Sequence, residues 1–117
     1  MIVRNLLEGL PSNLPDELTE VLSEKAGIRI ERIVSRGHSS PDDFWYDQNE
    51  TEWILLVSGR ARLQIEGKQE LVELAAGHFL EIPAHLRHRV DWTDPDGDTV
   101  WLAVFCEEPP LNDVGPD

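Results

Sequence analysis

The sequence predicts an all-β domain, a barrel or sandwich of short antiparallel strands. Three observations predict it. From Gly27 onward, apolar and polar residues alternate with a period of two, not the helical 3.6. Turn signals such as Ser58-Gly59, Glu66-Gly67-Lys68-Gln69 and Asp94-Pro95-Asp96-Gly97 recur about every 8–12 residues. Helical character is confined to one short N-terminal stretch.

That stretch is residues 13–26. Asn13 is a capping residue, and Pro15 suits a first turn that needs no backbone donor. Asp16 and Glu17 match the positive end of a helix dipole. Leu18, Val21 and Leu22 form a short apolar stripe, and Gly27 ends it. Ile28, Ile30 and Ile33 then mark a strand with arginines and glutamates between them. Residues 37–51 are polar around the aromatic island Phe44-Trp45-Tyr46 and read as a loop entering a strand. Trp53-Ile54-Leu55-Leu56-Val57 is apolar on both faces, so it is expected to be covered on both sides. Ala61, Leu63 and Ile65 alternate with Arg62, Gln64 and Glu66 as a half-buried strand. Leu71 to Leu74 and Phe79 to Ile82 follow on either side of Gly77. In the next strand His88, Val90 and Trp92 share one face, and Arg87, Arg89 and Asp91 share the other. Strict alternation therefore turns His88 inward. Thr99 to Phe105 is a final strand. The organisation expected is an N-terminal segment at 1–26, a barrel at 27–107 and a flexible acidic tail at 108–117.

The 117 residues suit one domain with one core. Ten lysines and arginines against 23 acids give a net charge of -13. Such a surface repels phosphate backbones and anionic lipid heads, which argues against nucleic-acid and membrane partners. Cys106 is the only cysteine, so no intrachain disulfide can form; this fits a cytoplasmic location. Its setting, Val104-Phe105-Cys106, reads as core packing. The N-terminus has no apolar run long enough for a signal peptide or a membrane span. No Gly-rich phosphate loop, nucleophile elbow or Cys-x-x-Cys pair occurs, and the lone adjacency of His38 and Ser39 does not make a triad.

Two stretches resemble the paired motifs of the cupin family. The first motif runs His-x-His, three or four residues, Glu, six residues, Gly; Glu52 and Gly59 match its second half. The second runs Gly, five residues, Pro-x-Gly, two residues, His, three residues, Asn; Gly77, Pro83 and His88 match it. The resemblance covers about residues 40–105. It implies a cupin-type antiparallel β-barrel, a double-stranded β-helix or jelly roll, with one short N-terminal helix. It also implies a lumenal pocket around Glu52 and His88. The two first-motif histidines are replaced by Tyr46 and Gln48 in one register, or by Trp45 and Asp47 in the other. His85 stands at the second-motif Gly and Trp92 at the closing Asn.

In cupins these motif histidines and the Glu commonly bind a divalent metal. The resemblance therefore implies an iron, manganese, zinc or nickel site on Glu52 and His88, with Asp47, Gln48, His85 or His38 as further ligands. His85 and His88 with Glu52 would form a two-histidine, one-carboxylate set, which requires a turn at Ala84–Arg87. Tyr46 and Trp92 are candidate contacts for a bound small molecule, among aromatics that include Trp53 and Trp101. The expected function is a metal-binding pocket for a small organic molecule. Two alternatives stand beside it: a metal-free binding module, and a structural barrel that pairs its edge strands into a homodimer.

Overall fold

The structure is a computed structural model and describes residues 1–108. Eight strands follow in order: β1 (Leu18–Lys25), β2 (Ile28–Ser35), β3 (Glu50–Ser58), β4 (Arg60–Ile65), β5 (Val72–Ala75), β6 (Phe79–Ile82), β7 (His88–Thr93) and β8 (Thr99–Glu107). They form a five-stranded sheet, β1-β2-β8-β3-β6, facing a three-stranded sheet, β5-β4-β7. Every pairing is antiparallel. The two sheets close as an antiparallel barrel of jelly-roll type. The expected tail at 108–117 falls outside the described residues after Glu108.

No helix forms at residues 13–26, and the reason is tertiary. β1 pairs with β2 from Leu18↔Val34 to Lys25↔Ile28, with one irregularity between Val21 and Ser23. Ala26 and Gly27 both have positive φ, 47° and 81°. That is the backbone of a two-residue hairpin turn whose twist matches the flanking strands. Gly27 thus turns a hairpin instead of ending a helix. Upstream, arginines from the sheet capture the chain's carbonyls. Arg32 donates to the carbonyls of Leu6 and Glu8, and Arg36 to those of Pro11 and Ser12. His38 Nε2 lies 3.1 Å from the Pro15 carbonyl. Carbonyls bonded to side chains in this way hold residues 6–15 as a strap across the sheet.

The core lies between the sheets. Ile54 and Leu56 of β3, Ala61 and Leu63 of β4, Leu74, Ile82 and Trp101 form one buried cluster. Burying each large aliphatic chain there is worth about 1.5–3 kcal/mol. The outer side of β3 is less covered than its two-faced apolar pattern predicts: Trp53, Leu55 and Val57 are half-buried. Trp53 packs instead against the exposed Phe79 ring, 5.5 Å away.

The turn between β3 and β4 shows why one glycine is required. Gly59 has φ of +91°, and a Cβ there would stand 2.5 Å from Thr99 Oγ1 and 2.7 Å from the Asp98 carbonyl. Gly67 has similar φ but open space around it. Gly59→Ala is therefore expected to cost about 2–4 kcal/mol, against about 1 kcal/mol for Gly67→Ala. Urea unfolding of the two variants checks the difference.

Candidate functional site

His88 opens β7 and is 4% exposed; Glu52 lies near the start of β3 and is 6% exposed. Both point into the lumen. His88 faces Ile65 of β4 in register, and Val90 faces Leu63, so this part of β7 follows the inward parity of β4. Residues 40–48 run beside β7. The Ser40 N–H donates to the Val90 carbonyl, and Tyr46 and His88 exchange backbone hydrogen bonds of 2.7 and 3.2 Å. This bridge lays the Tyr46 ring on the imidazole, with centroids 5.3 Å apart and planes 25° apart.

The hydrogen bonds of the pair are directional. His88 Nδ1 is 2.9 Å from the Leu86 carbonyl. A carbonyl only accepts, so Nδ1 carries a proton. Nε2 lies 3.3 Å from Glu52 Oε1. Gln48 Nε2 donates to that same oxygen at 3.1 Å. Glu52 Oε2 has no hydrogen-bond partner among the described residues. Burial acts against charge on the ring. The Glu52 hydrogen bond, the Leu86 carbonyl and the Glu52 charge together outweigh it and hold His88 above the usual histidine value. Burial, then the charges of Glu17 and Glu52, push the Tyr46 phenol up.

These groups line a cavity of about 250 Å³. Tyr46, Gln48, Glu52 and His88 supply one side. Glu17, Thr19, Arg29, Glu31 and Ile33 supply another, with Trp101 and Phe105 as aromatic walls. Arg29 lies 4.4 Å over the Phe105 ring and is bonded to Glu31 at 2.7 Å and to both oxygens of Glu50 at 3.1 and 3.2 Å.

Of the residues singled out from sequence, Glu52, His88, Gln48 and Tyr46 come together, so the first motif takes the Tyr46/Gln48 register. Asp47 and His85 do not join them. They pair with each other at 2.8 Å on the rim, half-exposed or more. His38 lies with the N-terminal strap. Trp92 faces outward, against the expected inward parity. β7 carries an extra residue, Asp91, between Trp92↔Arg62 and Val90↔Leu63, and this bulge reverses the alternation. The Arg62 guanidinium covers the Trp92 ring at 4.5 Å. Among the described residues no group of three His, Cys, Asp or Glu is placed to hold a metal ion.

His85 serves through its backbone. It has φ of 66° at the motif's glycine position, and its N–H donates to the Gln48 carbonyl at 2.7 Å. Trp101, one of the aromatics singled out from sequence, lines the cavity; the lumenal residues missed from sequence are Glu17, Arg29, Glu31 and Phe105. The parity of Ile33 with Arg29 and Glu31 was the available signal, but the isoleucines at 28 and 30 masked it.

Two outcomes are expected. His85→Gly keeps the fold and gains or loses no more than about 1 kcal/mol, whereas His85→Val loses more; thermal melts separate them. A raised His88 value means that its stabilisation is full below the unfolded value of about 6.5 and fades as pH rises through the folded one. The stability gap between the native chain and Glu52→Gln, about 1–3 kcal/mol at low pH, therefore shrinks as pH rises. Urea unfolding from pH 6 upward reads it.

The sequence matches the cupin domain model over residues 31–105. No curated protein matches it significantly. Among solved structures it is similar to a provisionally named mannose-6-phosphate isomerase from Ralstonia eutropha JMP134. That match has 44% identity over 92% of this chain and 100% of that one, with a TM-score of 0.89. A cupin superfamily protein from Desulfitobacterium hafniense DCB-2 aligns at 16% identity over 85% and 84% of the two chains, TM-score 0.69. An RmlC-like cupin with a double-stranded β-helix fold from Methanocaldococcus jannaschii aligns at 18% over 84% and 86%, TM-score 0.65. With the motif residues Glu52, Gly59, Gly77, Pro83 and His88 all inside the matched span, the chain belongs to the cupin family.

Proposed function

We propose that the barrel is a metal-independent binding pocket for a small organic molecule, anchored by the Glu52–His88 pair. The observation that carries this reading is the buried Glu52–His88 pair on the wall of a cavity of about 250 Å³ that Tyr46, Trp101 and Phe105 also line. A small molecule with an apolar body and a polar group suits such a lining.

The donor set does not fit a resident first-row metal. Such ions take three or four ligands from imidazole, carboxylate or thiolate. Beside His88 the lumen offers the Glu52 carboxylate, with the Gln48 amide and the Tyr46 phenol as neighbouring polar groups; of the other lining carboxylates, Glu31 is bonded to Arg29 and Glu17 to Ser35, and no three ligand-type residues come together among the described residues. One feature favours the metal reading: His88 Nδ1 donates to a backbone carbonyl, as metal-bound histidines do. The same bond equally prepares Nε2 to meet Glu52.

The name of the Ralstonia relative would call for a phosphate-binding group. Arg29 is the guanidinium lining the lumen, and it is committed to Glu31 and Glu50. A phosphosugar activity therefore does not carry over on the strength of identity.

Native mass spectrometry and elemental analysis of chain purified without a metal-affinity step test the proposal. The expected result is sub-stoichiometric metal, a melting temperature unchanged by EDTA, and a retained or saturably binding small molecule. Stoichiometric metal that disappears in His88→Ala would overturn it.

A further inference from the structure

We propose that the outer face of the five-stranded sheet is a self-association surface, on which a second copy of this chain packs face to face about a two-fold axis running along β8. The strand register lays out that face in rungs. Ile30, Val104 and Trp53 lie side by side across β2, β8 and β3. Leu102, Leu55 and Phe79 do the same across β8, β3 and β6. Ile28 and Cys106 form a third rung. These residues alternate along their strands with the buried Ile54, Trp101, Ala103 and Phe105, so they point away from the barrel. None is fully covered: Phe79 is 64% exposed, Ile28 is 45% exposed, and the others are half-buried. Strands that are apolar on both faces are normally covered on both. The three-stranded sheet shows a solvated face in the same chain, where Arg60 and Arg62 alternate with the buried Ala61 and Leu63.

Size and charge select the occupant. β3 and β8 each run nine residues, about 30 Å, and the five strands span about 24 Å, a face of roughly 700 Å². Each partner of a stable dimer buries about 800 Å². The strap takes one end of the face, where Arg32 holds the Leu6 and Glu8 carbonyls. Val3 and Leu7 of the strap are themselves 91% and 47% exposed, so apolar surface continues over it. A net charge of -13 opposes the pairing of two like copies. On these rungs, however, charge is confined to the ends. Lys25 lies beside Ile28 at the β1 edge, Glu81 beside Trp53 at the β6 edge, and Glu20 is paired with Arg32. A two-fold axis along β8 lays β1 of each copy over β6 of the other. Lys25 of one copy then comes within one rung of Glu81 of the other, and symmetry makes the contact twice. Neither residue has an ion pair of its own among the described residues.

Sedimentation equilibrium of the full chain tests the proposal. The expected result is a reversible dimer of twice the 13.3 kDa chain mass. Val104→Arg sets two like charges near the axis and is expected to weaken dimerisation by about a hundredfold or more, and Phe79→Ser by about tenfold. Lys25→Glu should weaken it by about threefold or more, and adding Glu81→Lys should restore it. Leu71→Ser, in the loop before β5 and 40% exposed, should leave the dimer unchanged. If Val104→Arg fails to fold, Phe79→Ser and the charge swap decide. A chain that stays monomeric at its highest soluble concentration overturns the proposal. So does a dimer indifferent to both face variants, which would be pairing through edge strands. A dimer that the face variants weaken but the charge swap does not restore overturns the axis along β8.

Discussion

The contact between Glu52 and His88 is the constraint that the barrel's interior is arranged around. Taking a carboxylate and an imidazolium out of water costs several kcal/mol per ion. A separation of 3.3 Å in a low-dielectric interior returns much of that only if the remaining polar atoms are bonded. Here the bonds come from different parts of the chain. Leu86 fixes Nδ1, Gln48 reinforces Oε1, and Tyr46 stacks on the ring. The pair therefore ties β3, β7 and the 40–48 segment into one register. Removing one partner strands the other charge, so the pair acts more on uniqueness of structure than on net stability.

The strands were legible where one face is buried and period two is clean. Ala61, Leu63 and Ile65 read as inward, and Ala61 and Leu63 are among the most buried side chains. Glu52 and His88 were legible because their motif spacing and, for His88, the strand parity agree. The N-terminal strand was not. Leu18, Val21 and Leu22 fit a helical stripe as well as an irregular edge strand, and an edge strand is decided by its partner. That partner is β2, joined through the Ala26-Gly27 turn.

The remaining misreadings share one cause: parity is a local signal that a single extra residue or a two-faced strand reverses. At Asp91 the bulge sends Trp92 out to Arg62 and brings Thr93 in beside Ala61. In β2 the isoleucines at 28 and 30 look like the core set. Yet Arg29, Glu31 and Ile33 face the lumen, because β2 shares its register with Phe105, Ala103 and Trp101 of β8. Arg29 and Glu31 look like surface residues in sequence because each is charged. They are tolerated inside because each neutralises the other within the same strand. Sequence alternation cannot distinguish that from two solvated charges.

Fold and chemistry separate at the motif positions. The family's barrel needs Gly59 for the close approach of Thr99 and a left-handed residue at 85, and both backbone demands are met. The side-chain positions that ring a cation elsewhere in the family hold Tyr46 and Gln48 here. With a phenol and an amide in place of two imidazoles, the retained carboxylate and imidazole answer to each other. The carboxylate's hydrogen bond and charge help hold His88 above the ordinary histidine value against its burial. Replacing two neutral, metal-seeking rings leaves the barrel's backbone demands unchanged and alters the donors that its interior offers.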